Sequence, residues 1–379
     1  MTHIQCTSEL TFHVVRVLSA LTGELILELR LDEAELLSTG SLRDDLRRYI
    51  QAKTGISSFR QQLLLEDAII PESCSWESLG RPREIRVTFQ QSTDDFSDEL
   101  LAAADMGYTK RVQDLLEHFQ NPDCASASGE TPIWKASKRG HLDVLELLLR
   151  AGADLNQPAE NGSTPLLVAA EHGQIKVLRR LVEGSRGIKD LDTPTLRGHT
   201  PLIMAILNGH LHIMRYLIEA RADKDKAFSN DDSPLLLAID CAPESPEGGR
   251  QDVVRCLLDA GANIERMNSK GMFPLLMAAH EGQLDIVCQL LEARASVNKT
   301  NPDGLTALTA AVAEGHVNIL KHLLNALADP NIPLNNGSTP WSIATSMRYD
   351  RRHREIEESH CQHREIIQCL RDAGAVAKK

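Results

Sequence analysis

The sequence predicts a mainly α-helical chain: a solenoid of stacked helix pairs preceded by a small α+β domain. Three observations predict it. A Thr-Pro-Leu-like start recurs at a nearly constant step, a glycine closes each first helix at a fixed distance, and the first ninety residues follow a different, strand-like pattern.

The strand-like part comes first. VVRVLSALTGELILELRL (14–31) reads as two strands joined by a turn around Thr22-Gly23. SLRDDLRRYIQAKTG (41–55) has a serine cap, an apolar stripe at Leu42, Leu46, Tyr49 and Ile50, and a closing Gly55, which predicts one amphipathic helix. RQQLLLEDAII, the turn PESCSWESLG and a last strand EIRVTF (84–89) complete the segment. The polar, acidic stretch QQSTDDFS (90–97) reads as a linker.

Beyond it, GETPIWKASKRGH, NGSTPLLVAAEHGQ, RGHTPLIMAILNGH, DDSPLLLAIDCA, KGMFPLLMAAHEGQ, DGLTALTAAVAEGH and NGSTPWSIATS align. Their equivalent positions are Pro132, Pro165, Pro201, Pro234, Pro274, Ala307 and Pro340, at steps of 33, 36, 33, 40, 33 and 33. Thr131, Thr164, Thr200, Ser233 and Thr339 stand before Pro, where a hydroxyl can cap a helix and Pro fits the first helical position. Gly140, Gly173, Gly209, Gly282 and Gly315 end the first helices, since glycine accepts the left-handed conformation. The second helices, LDVLELLL, IKVLRRLV, LHIMRYLI, QDVVRCLL, LDIVCQLL and VNILKHLL, carry apolar residues at i, i+3, i+4 and hence one buried stripe. Neither helix can bury its apolar face alone, so neighbouring pairs must stack.

Composition agrees and excludes several classes. Hydrophobic residues make up 42% but aromatics only 4%, as a core of aliphatic layers requires. The net charge of −12 offers no broad basic surface, so nucleic acid is not an expected partner. No apolar run of membrane-spanning length occurs, and the opening MTHIQCTSEL has neither the basic start nor the apolar stretch of a secretory signal. Cys6, Cys74, Cys124, Cys241, Cys256, Cys288, Cys361 and Cys369 are scattered without a C-x-x-C pair, which predicts reduced thiols in a cytoplasmic or nuclear setting.

The period, the Thr-Pro-Leu start, the glycine punctuation and the A-G-A-D/N turn together resemble the ankyrin repeat over 98–379. DELLAAADMGYTKRVQDLLEHF (98–119) then serves as a capping unit. Eight units are read: 98–128, 129–161, 162–197, 198–230, 231–270, 271–303, 304–336 and 337–379. The family usually places His after Thr-Pro-Leu. Here Trp134, Leu167, Ile203, Leu236, Leu276, Thr309 and Ser342 stand there, so apolar packing is expected to replace the polar network between units. The segments 183–192 and 241–250 are read as tolerated insertions.

The order of elements over 12–89 resembles ubiquitin, a β-grasp fold, with LTGELILEL as its first hairpin, IQAKTGISSFRQQLLLED as helix end and third strand, and WESLGRPREIRVTF as its close. Because Phe89 runs on without a glycine pair, the resemblance implies a fused domain rather than a processed modifier. It also implies a binding face containing Leu64 and Val87, although Leu64 serves equally as a core residue.

No phosphate loop, G-x-S-x-G or H-E-x-x-H occurs, and no cofactor is expected. His141, His172, His199, His210 and His316 follow the repeat and read as structural. His360, Cys361, His363 and Cys369 include soft zinc-type ligands, but the run 347–362 reads more simply as a charged insertion that lengthens the last helix pair. No catalytic or metal-binding residue is therefore assigned. The ankyrin resemblance implies a partner protein lying along the concave side and touching the turn tips: Asn156, Glu160 and Asn161; Arg197 and His199; Asn230, Asp231 and Asp232; Ser269 and Lys270; Asn301 and Asp303; Asn335 and Asn336. The expected function is a non-enzymatic, monomeric interaction scaffold whose acidic array favours partners with basic segments. The alternatives are an adaptor docked through the ubiquitin-like domain to a degradation or ligase assembly, and a metal enzyme built on the C-terminal cluster.

Overall fold

The computed structural model describes residues 13–19, 25–31, 61–65, 68–69, 84–89, 96–117, 121–183, 190–228, 231–241, 249–346 and 356–375, with the strands and 356–361 described by backbone alone. Two compact parts result, Met1–Glu160 and Asn161–Lys379.

The first part contains strands β1 (His13–Ser19), β2 (Leu25–Leu31), β3 (Gln61–Leu65), β4 (Ala68–Ile69) and β5 (Glu84–Phe89). They form one sheet in the order β2-β1-β5-β3-β4. β1 pairs antiparallel with β2, as the expected hairpin, and parallel with β5. A parallel pair needs a long crossover, which the chain between β2 and β5 provides. The helix expected over 41–55 lies outside the described residues. Two helix pairs follow: α1 (Ser97–Met106) with α2 (Thr109–Glu117), and α3 (Pro132–Arg139) with α4 (Leu142–Arg150).

The second part repeats the pattern. Its pairs are α5 (Pro165–Glu171) and α6 (Ile175–Glu183), α7 (Pro201–Leu207) and α8 (Leu211–Glu219), α9 (Pro234–Cys241) and α10 (Arg250–Asp259). Then come α11 (Pro274–His280) and α12 (Leu284–Glu292), α13 (Ala307–Glu314) and α14 (Val317–Asn325), α15 (Pro340–Ser346) and α16 (Ile356–Asp372). The last helix runs 17 residues against 9 for α14, its first turns falling within the expected insertion 347–362, of which 347–355 lies outside the described residues.

Local chemistry starts each pair. Thr164 Oγ1 accepts from Leu167 N at 3.2 Å, and Thr200 and Ser233 repeat the bond to Ile203 and Leu236 at 3.3 Å. These hydroxyls are buried, so each satisfies an amide that water cannot reach, a contribution of about 1 kcal/mol per cap. Phe273 stands at the equivalent position without a hydroxyl; its ring is buried instead. Side by side, the first helices pack more closely than the second helices, so the first-helix layer is the tighter one. Leu202, Ile203, Ala205 and Ile206 from α7, with Ile213, Met214 and Leu217 from α8, are at most 1% exposed.

Six of the seven residues that replace the family's histidine, from Trp134 to Thr309, are buried, as the apolar substitution implies. Polar bridges between neighbouring pairs nevertheless persist, from other positions. His210 donates Nε2–H to the Glu171 carbonyl (3.1 Å), His316 does so to the His280 carbonyl (3.1 Å), and Gln283 to that of Ile239 (2.9 Å); within the first part His141 reaches Asp105 (3.0 Å). Room for the ring is made by glycine. A Cβ on Gly173 would stand 2.9 Å from His210 Cε1, and its φ of +74° is one side chains resist. A second seam lies at the opposite end of the pairs. Asp192 accepts from Asp223 N (3.0 Å), Asp225 from Asn263 N (2.7 Å), Glu265 from Ser296 N (2.7 Å) and Asn298 from Asp329 N (2.8 Å).

Among the described residues, the turn after six second helices takes the left-handed conformation, supplied by Gly152, Gly261 and Gly374 but also by Arg221, Arg294 and Leu327. Leu327 holds φ 66° while 83% exposed, so its side chain gains almost no burial in return for the strain. Leu327→Gly is expected to raise stability by about 1 kcal/mol, and Gly261→Ala, where a Cβ meets nothing within 4 Å, to lower it by about as much. Urea denaturation followed by circular dichroism checks both; unchanged midpoints would contradict the strain.

Candidate functional site

First helices after α1 are entered from tight turns. The closure repeats: Thr195 N donates to the His199 carbonyl, Asn268 N to Met272, Asn301 N to Leu305 and Leu334 N to Ser338, at 2.8–3.0 Å. Inside two turns a buried asparagine holds the loop. Asn268 Oδ1 accepts from Lys270 N (3.0 Å) and Met272 N (2.8 Å), and Asn301 Oδ1 from Asp303 N (3.0 Å) and Leu305 N (2.8 Å). Asn301 is 8% exposed, so its side chain serves its own turn rather than a visiting partner.

Neighbouring tips are tied to one another. Leu196 N donates to the Asn161 carbonyl (3.1 Å) and Asn335 N to the Asp303 carbonyl (3.0 Å). Asn335 Nδ2 adds a bond to the Pro302 carbonyl (2.6 Å), and Asn268 Nδ2 one to Asp232 Oδ1 (2.6 Å). In the first part, Glu160 N donates to Ser128 O (3.0 Å). These bonds fix the backbone of the row and leave its outward side chains to vary.

Of the residues expected at the tips, Asn161, Arg197, Asp231, Lys270, Asp303, Asn335 and Asn336 are exposed in the second part, as is Ser269. Asp232 and His199 are half-buried, Asn156 and Glu160 are exposed in the first part, and Asn230 lies outside the described residues. Asp231 sits at φ 61° where the other tips have glycine, a conformation Asp tolerates better than most side chains. In the sheet, Leu64 pairs in register with Arg86 and Val87 with Leu63, one step apart in the ladder and therefore at alternating positions.

One tip residue was missed. Leu196, two residues before its glycine, is 82% exposed beside Arg197, where other tips have Glu160, Ser269, Pro302 or Asn335. A large aliphatic residue in a column otherwise of small or polar residues was the available signal. The same turn carries His199, whose ring stacks on Phe228 of the next turn at 4.5 Å and 11°. The neighbouring ends of the first helices are acidic: Asp240, Glu281 and Glu314 are exposed, and His280 stands 3.1 Å from Glu281 and 3.7 Å from Glu314. Among the described residues no group of three metal-ligand side chains converges; His360 and Cys361 lie where side chains are not described.

His199 has a lowered pKa because burial penalises its charged form and the Arg197 charge adds to this, with Glu171 opposing. A histidine whose folded pKa lies below its unfolded value contributes stability above the unfolded value, about 6.5, and loses it as pH falls through the folded pKa. His199→Gln is thus expected to show a shallower loss of stability between pH 7.5 and acid pH than the parent chain. Parallel profiles in denaturation titrations would exclude it.

A family model described as Ankyrin repeats (3 copies) matches residues 100–193, 186–268 and 275–356. Among solved structures, an ankyrin repeat domain from Acinetobacter baumannii AYE is similar: 28% identity, a TM-score of 0.47, and coverage of 55% of this chain and 97% of that one. Because the matched stretches span well over half of the sequence, the chain belongs to the ankyrin-repeat family.

Proposed function

We propose that the chain is a non-enzymatic protein-binding scaffold whose client lies across the hairpin tips and first-helix ends of several successive repeats, on the concave side. The observation that carries this reading is the row of exposed, unlike side chains on a backbone tied tip to tip, since a surface ordered in advance loses little conformational freedom when a partner lands. Leu196, Arg197 and the His199–Phe228 stack form its apolar and aromatic anchor, the kind of cluster that concentrates binding energy. Asp231, Asp303, Glu281 and Glu314 give the row an acidic cast that suits a client with basic segments and disfavours nucleic acid. The chain acts as a monomer in the cytoplasm or nucleus, with repeats bounded near 129, 162, 198, 231, 271, 304 and 337.

The N-terminal sheet is assigned to a ubiquitin-like β-grasp domain that recruits a second protein, in support of which stands the order β2-β1-β5-β3-β4 with its parallel β1–β5 pair. Since Leu64 and Val87 alternate in the ladder, one sheet face uses one of them rather than both. The same topology favours a second reading, in which this domain docks the chain to a ubiquitin-dependent degradation assembly. Binding of the full chain to purified proteasomes separates the two, because a plain scaffold has none.

Proximity labelling with the parent chain and with Leu196→Asp tests the main proposal. Clients of the tip row are expected to fall about tenfold in recovery with Leu196→Asp, as loss of one apolar anchor implies. An unchanged set of captured proteins would exclude the tip row as the binding surface.

A further inference from the structure

The second helices carry a row that the tips do not explain. Arg179, Arg215 and Arg255 occupy the same position of three successive repeats, in α6, α8 and α10, and all three are exposed. In the repeats that follow, this position holds Cys288 and then Lys321, and Lys321 is paired with Glu365 at 2.5 Å. Acidic residues lie one helical turn beyond each arginine, at Glu183, Glu219 and Asp259. Yet among the described residues no ion pair joins any of the three arginines to a carboxylate. In a chain with a net charge of −12, three guanidiniums in line without a carboxylate at ion-pair distance stand out.

Packing explains where they point. Arg179 lies over the ring of Tyr216, 5.0 Å from its centre, and the Tyr216 hydroxyl donates to Glu183 at 2.8 Å. Glu183 is thereby engaged by the phenol, and the guanidinium is held over an aromatic face. One step on, at the same position, Arg215 has the Cys256 thiol beside it in place of a ring. Between the two arginines lies an open cavity of about 500 Å³, lined by both of them with Tyr216, Leu211, His212 and Glu219.

We propose that this arginine row is a second docking surface, separate from the hairpin tips, and that it takes an extended acidic peptide segment of another protein. The spacing selects the occupant. Helices of neighbouring repeats pack roughly 8–10 Å apart, and an extended chain advances about 3.3 Å per residue. Acidic residues at every third position of such a segment therefore meet successive arginines, each offering a planar, two-pronged donor to a carboxylate. The row Glu219 and Asp259 flanks the track and repels the segment from that side.

The test titrates the full chain against a fluorescein-labelled peptide of roughly twelve residues, glutamate at every third position and glycine or serine between. An isomer with its glutamates contiguous and a thymidine oligonucleotide of equal charge are run beside it, at about 50 mM salt, where screening is modest. The spaced peptide is expected to bind about tenfold more tightly than either control, and the exposed double change Arg179→Gln/Arg215→Gln to weaken it about tenfold. Arg215→Glu is expected to recover binding to a peptide whose second glutamate is lysine. Unchanged melting curves of the variants exclude a loss through unfolding. Equal binding of the contiguous isomer or the oligonucleotide, an unaffected double variant, or no saturable binding up to about 1 mM peptide overturns the proposal.

Discussion

First helices of seven or eight residues and second helices of about nine, such as Pro201–Leu207 and Leu211–Glu219, are shorter than a helix needs to persist by itself in water. Their apolar residues must therefore be covered by the next pair, and that requirement governs the rest of the second part. Ile203, Ile213 and Leu217 are fully buried although each belongs to a pair with little interior of its own. Stability is then shared between neighbours, and a defect in one repeat is felt by the two beside it.

Burial alone would let the pairs slide, because aliphatic contact has no direction. Two polar seams supply direction. The first runs from the Gly-His turns, where the His210 and His316 rings reach back to carbonyls left open at the end of the preceding first helix. In the other, carboxylate or amide oxygens such as those of Asp192, Asp225 and Asn298 take a backbone N–H of the next repeat. Both seams use groups whose identity the repeat cannot vary freely. The outward tip residues take no part in them, which is why Leu196, Lys270 and Asp303 can differ so much at equivalent places.

That division also sets what a sequence can disclose. Period, caps and helix stops were legible because each is a local bond: Thr164, Thr200 and Ser233 cap amides three residues on, wherever the neighbouring pair lies. The rest depends on residues 30 or more positions apart. Loss of the family's histidine implied a loss of polar bridging, whereas the bridges pass through His210, Gln283 and His316, whose partners become visible only when pairs stack. Asn301 and Asn336 both accept from a backbone N–H of their own turn, yet Asn301, three residues before its glycine, is buried while Asn336, one before, faces solvent. The single-copy N-terminal segment had no repeat to check it against. Its hairpin was readable from alternation, but the parallel β1–β5 pair joins strands more than fifty residues apart, beyond the reach of any local pattern.

Charge is distributed more finely than constancy and variation are. Exposed acids stand at the tips and at the ends of the first helices, as Asp231, Asp303, Glu281 and Glu314, and also on the second helices beside the aligned arginines, as Glu183, Glu219 and Asp259. A net charge of −12 averages over both and describes neither. Fields from exposed charges fade within about 10 Å at ordinary salt, so a visitor senses the charges of its own patch, which on the second helices are mixed because Glu183, Glu219 and Asp259 follow the arginines.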